Sequence, residues 1–124
     1  MPDKNRPPLL LIIYHMENLN VKTLDRASLL IGCSSADMAS DQSEQTTAAV
    51  LDALKRFEID GANLSQSVGI WKGSLEKSVN LTIINNFTDA SEFKARISAL
   101  YLYLKEALQQ EEITVVIDSV LCNL

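Results

Sequence analysis

Histidine, tryptophan, cysteine, proline and glycine are all scarce in this chain of 124 residues: one, one, two, three and four. Each scarcity removes a class of explanation. A single histidine, His15, gives neither a histidine-based metal cage nor a Ser-His-Asp or Cys-His relay with a nucleophile elbow. Cys33 and Cys122 form no metal-spaced pair and are too few for a disulfide scaffold, so they read as two reduced thiols of a cytoplasmic protein. The scattered glycines leave no phosphate-cradling loop. No catalytic residue, metal or cofactor is therefore assigned from the sequence. Basic residues are outnumbered 11 to 16, for a formal net charge of −5. That balance argues against direct nucleic-acid binding, which needs a basic footprint, and suits a basic protein partner. The apolar run Leu9 to Tyr14 is too short for a secretory leader or a membrane span.

What is present is an ordinary globular composition, 47% hydrophobic and 22% charged. The length fits a single α+β domain over residues 9–124 behind a polar tail, residues 1–8, ending in two prolines. Leu9 to Met16 reads as a buried strand and Glu17 to Arg26 as a loop. Ala27 to Ser34 is a second strand, where Gly32 suggests a bulge or a close backbone approach. Asp41 and Glu44 have capping-box spacing, and Thr47, Val50, Leu51, Leu54 and Phe57 then recur at helical intervals until Asp60-Gly61. Asp89 and Glu92 repeat the cap before a second stripe, Phe93, Ile97, Leu100, Leu104 and Leu108, which predicts a helix from about Ala90 to Gln110. Glu112 to Leu121 is the last strand, with Ile113, Val115 and Ile117 on one face.

Between the helices, Asn63 to Ile84 alternates apolar and polar on both sides of Lys72-Gly73-Ser74, which predicts a β-hairpin. Leu64, Val68 and Ile70 fall on one face of the first arm, and Val79, Leu81 and Ile83 on one face of the second. Parity puts Trp71 on the other face with Glu76, Ser78 and Asn80, unless Gly69 carries a bulge. From Ala27 onward the order is βαββαβ, the split-βαβ or ferredoxin-like plan, with an additional N-terminal strand. Two helices then cover one face of the antiparallel sheet and leave the other open. Asp118 interrupts an apolar strand with the parity of that open face, where it is solvated or pairs with a partner's lysine or arginine. The candidate binding residues are thus Trp71, Glu76, Ser78, Asn80, Asp118 and His15. Tyr101 and Tyr103 lie off the second stripe and read as flank packing or a dimer contact.

The pattern Gly69-x-Trp71-x-Gly73-x-x-Glu76-x-Ser78 resembles hairpins of small proteins encoded by phages and other mobile elements. The resemblance implies a mobile-element origin and no particular activity. Two functions remain open at this point. One is an acidic, homodimeric interaction protein that docks a protein partner through its open sheet face and hairpin. The other is a small ferredoxin-like dimeric enzyme or small-molecule sensor with a pocket formed at that face.

Overall fold

The computed structural model describes residues 21–33, 42–86, 89–110 and 112–123, and of Val21, Trp71 and Asn123 the backbone only. The order is β1 (Val21–Gly32), α1 (Ser43–Arg56), β2 (Asn63–Trp71), β3 (Ser74–Ile84), α2 (Ala90–Ala107) and β4 (Thr114–Asn123). The sheet runs β2-β3-β1-β4 with every pairing antiparallel. This is the ferredoxin-like α+β plan, with both helices on one face. The strand expected at Leu9 to Met16, His15 and the tail all lie outside the described residues.

β1 begins earlier than its apolar residues suggest, so Val21 to Arg26 is strand and not loop. Lys22, Leu24 and Arg26 alternate with Thr23 and Asp25 without a wholly apolar face. What holds this segment extended is backbone pairing with β4, from Val21↔Asn123 to Arg26↔Asp118. That partner is some hundred residues away, so local pattern is blind to it. Gly32 carries no bulge: the register against β3 continues unbroken to Gly32↔Ser78. A Cβ there would meet only Gln110 Oε1 at 3.9 Å, ordinary contact.

The core lies between the sheet and the helices. Ala27, Leu29 and Ile31 of β1, and Val79, Leu81 and Ile83 of β3, are buried against Phe93, Ile97, Leu100 and Leu104 of α2. The stripe on α2 is as the spacing predicts through Leu104, but the helix ends at Ala107 and Leu108 is its C-cap; Asp89 caps its start, accepting from the Glu92 N–H at 2.8 Å. On α1 the buried face is Thr46, Val50 and Ala53, a rotation from the expected stripe that leaves Leu51 exposed. Its N-cap is Gln42, with no side-chain cap; the expected cap, Asp41, lies outside the described residues.

Both helices end without glycine. Glu58 (φ 55°) and Gln109 (φ 53°) adopt the left-handed conformation. The Ile59 N–H reaches Leu54 O at 2.9 Å and the Glu58 N–H reaches Lys55 O at 3.3 Å, as the Gln110 N–H reaches Lys105 O at 3.0 Å and the Gln109 N–H reaches Glu106 O at 3.2 Å, the paired closing bonds of Schellman motifs. Those bonds offset the cost of a side chain at positive φ, about 1–2 kcal/mol per residue.

Candidate functional site

The hairpin closes in two residues. Lys72 (φ 48°) and Gly73 (φ 77°) both have positive φ, the conformation of a type I′ turn, whose twist matches that of the strands it joins. The register runs without a slip through Val68↔Lys77, Gly69↔Glu76, Ile70↔Leu75 and Trp71↔Ser74, so Gly69 carries no bulge. Trp71 therefore has the strand parity of Gly69, Ser67 and Ser65. Glu76, Ser78 and Asn80 stand opposite Gly69, Ser67 and Ser65. The candidate set on the hairpin thus shares one face, the helix-free one.

That face divides in two. Its β2–β3 half is a carpet of small polar groups. Ser67 and Ser78 join hydroxyls at 2.7 Å, Asn80 stands between Ser65 and Leu30, and Thr82 between Asn63 and Ser28. Its β1–β4 half is mixed: Leu30 and Val116 stand exposed on it, with Ile84 of β3 beside them, and at its centre sits an ion pair. Arg26 donates from Nε to Asp118 Oδ1 at 2.9 Å and from Nη2 to Oδ2 at 2.6 Å, with the two side chains 38% and 41% exposed. The pairing is bidentate, the strong form for a guanidinium and a carboxylate. Asp118 accordingly has the expected face but not the expected partner. The hydrogen bonds from Arg26 hold its carboxyl below the ordinary range, desolvation opposes them, and the cation lowers it further.

Asp118 and Asn80 are not neighbours. Asn80 lies opposite Leu30, which pairs with Thr114, four residues along β4 from Asp118. The structure thus gathers Glu76, Ser78, Asn80 and the Trp71 position and leaves Asp118 apart; His15 lies outside the described residues. Two members of the face escaped the sequence reading. Ser67 could have been found by pairing it with Ser78 across the turn. Arg26 could not, because it fell in a segment read as loop.

A shallow dent of about 120 Å³ borders the polar half, lined by Ser43, Gln66, Ser67, Val68, Lys77 and Ser78. The parity of Gln66, Val68 and Lys77 puts it on the helix side of the hairpin, where α1 begins. Among the described residues nothing encloses the helix-free face, which there is flat. Among the described residues no group of three or more His, Cys, Asp or Glu side chains could hold a metal ion. Among them, too, no helix is long and apolar enough to cross a membrane.

No protein-family model and no curated protein matches the chain. Solved structures do. A phage SAM lyase in complex with S-methyl-5′-thioadenosine is similar over 82% of this chain and 90% of its own, with 22% identity and a TM-score of 0.64. The same lyase in its apo state gives 0.66 over the same shares. CutA from Synechococcus elongatus, complexed with a Bis-Tris molecule, matches 82% of this chain and 88% of its own at 8% identity and a TM-score of 0.56. These likenesses establish the ferredoxin-like fold.

Proposed function

We propose that this protein binds S-adenosylmethionine and cleaves it to S-methyl-5′-thioadenosine, at the hairpin's polar face, in a homo-oligomer whose second copy closes that face. The observation that carries the reading is the likeness, over nine-tenths of its length, to a phage SAM lyase whose complex holds that thioether. The chemistry of the face agrees. The substrate carries a sulfonium, an ammonium and a carboxylate. Glu76 offers an anion to the cationic groups, and Ser78 and Asn80 on the same face offer hydrogen-bond donors to the carboxylate.

The reaction needs no cofactor. Breaking the Cγ–S bond sends its electron pair to sulfur and yields a neutral thioether. The substrate's own carboxylate oxygen forms the new bond to Cγ, giving homoserine lactone and balancing atoms and charge. The protein's part is to hold the carboxylate behind Cγ and to exclude water, a gain of the positioning kind. A flat face cannot exclude water, which is why a second copy is part of the proposal.

The test is to incubate the purified protein with S-adenosylmethionine and follow S-methyl-5′-thioadenosine and homoserine lactone chromatographically. Production of both, abolished in Glu76→Gln, supports the reading; an intact substrate overturns it. Light scattering that shows only the 13.7 kDa protomer overturns the homo-oligomer, for which a dimer is the simplest form. A second reading is the docking of a protein partner through the hairpin. It is favoured by Val68 and Ile70, 60% and 76% exposed on the helix side of the hairpin tip. For both readings the mobile-element origin implied by the hairpin pattern stands as a proposal.

A further inference from the structure

A concavity lies on the helix side of the sheet, at the end away from the hairpin tip. It is a groove of about 610 Å³ between the segment leaving α1 and the first turns of α2. Its floor is apolar: Ile59, Ile83, Phe93 and Ile97, three of them core residues. Its rim carries Glu58 and Asp60, both exposed.

Arg96 of α2 lines the groove and is bonded to the segment leaving α1. Its guanidinium donates from Nη1 to Glu58 O at 3.2 Å and Phe57 O at 3.4 Å, satisfying carbonyls at the end of α1, and from Nη2 to Glu92 Oε1 at 2.9 Å. Among the described residues the one cation lining the groove is therefore committed to the protein, and Glu92 is committed to it. Glu58 and Asp60, both exposed at the rim, have no ion pair among the described residues.

We infer that this groove docks a short basic segment of another protein, which lays a large aliphatic side chain on the floor and presents lysine or arginine to Glu58 and Asp60. Charge complementarity selects the sign: two uncommitted acids at the rim, within a chain of net charge −5, repel anions and steer cations inward. Shape selects a peptide. The groove is open along one side, whereas a small-molecule site encloses most of its ligand. An extended segment needs only an apolar anchor and a polar rim. The inference is independent of the lyase reading, since none of these residues belongs to the hairpin face.

The probe is the peptide acetyl-Arg-Leu-Lys-Leu-amide, titrated into the full chain and followed by amide chemical shifts. Shifts centred on residues 58–61 and 92–97 are expected. Glu58→Gln combined with Asp60→Asn should weaken binding about tenfold, the size expected for losing rim charge pairs. Glu44→Gln combined with Glu106→Gln removes the same charge elsewhere and should leave affinity within about twofold, as screened distant charges do. Replacing both peptide leucines by serine should abolish binding. The proposal is overturned if no binding occurs, if the distant pair of substitutions weakens binding equally, or if the serine peptide binds as well. Lysine in place of Ile97 would test the floor but endangers the core. The rim variants, isosteric and exposed, avoid that risk.

Discussion

The two faces of the sheet are built by alternate residues of the same strands, yet they do different work. On the helix side Leu29, Ile31, Leu81 and Ile83 are buried with Ile97, Leu100 and Leu104. On the other side Leu30, Ile84 and Val116 stand exposed around one ion pair, next to a patch of serines and an asparagine. A side chain on the first face is fixed by packing, so changing it is felt in folding. One on the second touches little in the protomer, so its identity is free to answer to a ligand or another chain. The faces therefore differ, by parity alone, in how firmly packing holds a side chain.

The largest effect on stability is expected for Leu100→Ala. Leu100 is wholly buried against the sheet, and its truncation should cost about 2–5 kcal/mol through lost transfer energy and a cavity. Leu30→Ala is the matching change across the sheet. Leu30 is 45% exposed, so its truncation should cost about 1 kcal/mol or less. If the face is covered by a second copy, Leu30→Ala should weaken association instead, measured by light scattering on dilution. Equal denaturation midpoints for the two variants would end the contrast between the faces.

A smaller difference lies in acid. One carboxylate is depressed on each side: Asp118 on the open face by Arg26, and Asp52 on the helix layer by the Tyr103 hydroxyl first and Arg56 second. A folded pKa below the unfolded one contributes stability above the unfolded value, near about 3.9, and loses it as pH falls through the folded value. Asp118→Asn and Asp52→Asn should each flatten the acid limb of the stability–pH curve. Both pairs are solvent-accessible, so each effect is modest and shrinks in salt. Only Asp118→Asn should also alter self-association. If both variants do, or neither, the open face is not the one that meets a second copy.

The smallest stability change belongs to Glu76→Gln, expected within about 0.5 kcal/mol as for an ordinary surface substitution. The same variant should lose the conversion of S-adenosylmethionine. A variant that keeps full activity would detach the chemistry from the hairpin face.

Legibility in the sequence followed the range of the interaction. The α2 stripe from Phe93 to Leu104, its Asp89 cap and the tight turn at Lys72-Gly73 are local: spacing over a few residues is enough to state them, and the structure keeps all three. The hairpin's parity was equally readable, so Glu76, Ser78 and Asn80 could be placed together before any fold was known. The rotation of α1 was not, because Leu51 and Ala53 are both helix-compatible and only the packing partner decides which is buried. The Schellman ends at Glu58 and Gln109 lacked the glycine that usually announces them.

By itself, then, the sequence determined the elements, their order and the split of the sheet into a packed and an open face, since these rest on period and local chemistry. Only the tertiary structure decided that Val21 to Arg26 is strand, that Asp118 answers to Arg26 within its own chain, and that Arg96 is bonded to the segment leaving α1. Each of those depends on groups tens of residues apart brought within hydrogen-bonding distance. No periodicity along a chain encodes such a meeting; the closed sheet and the packed helices do.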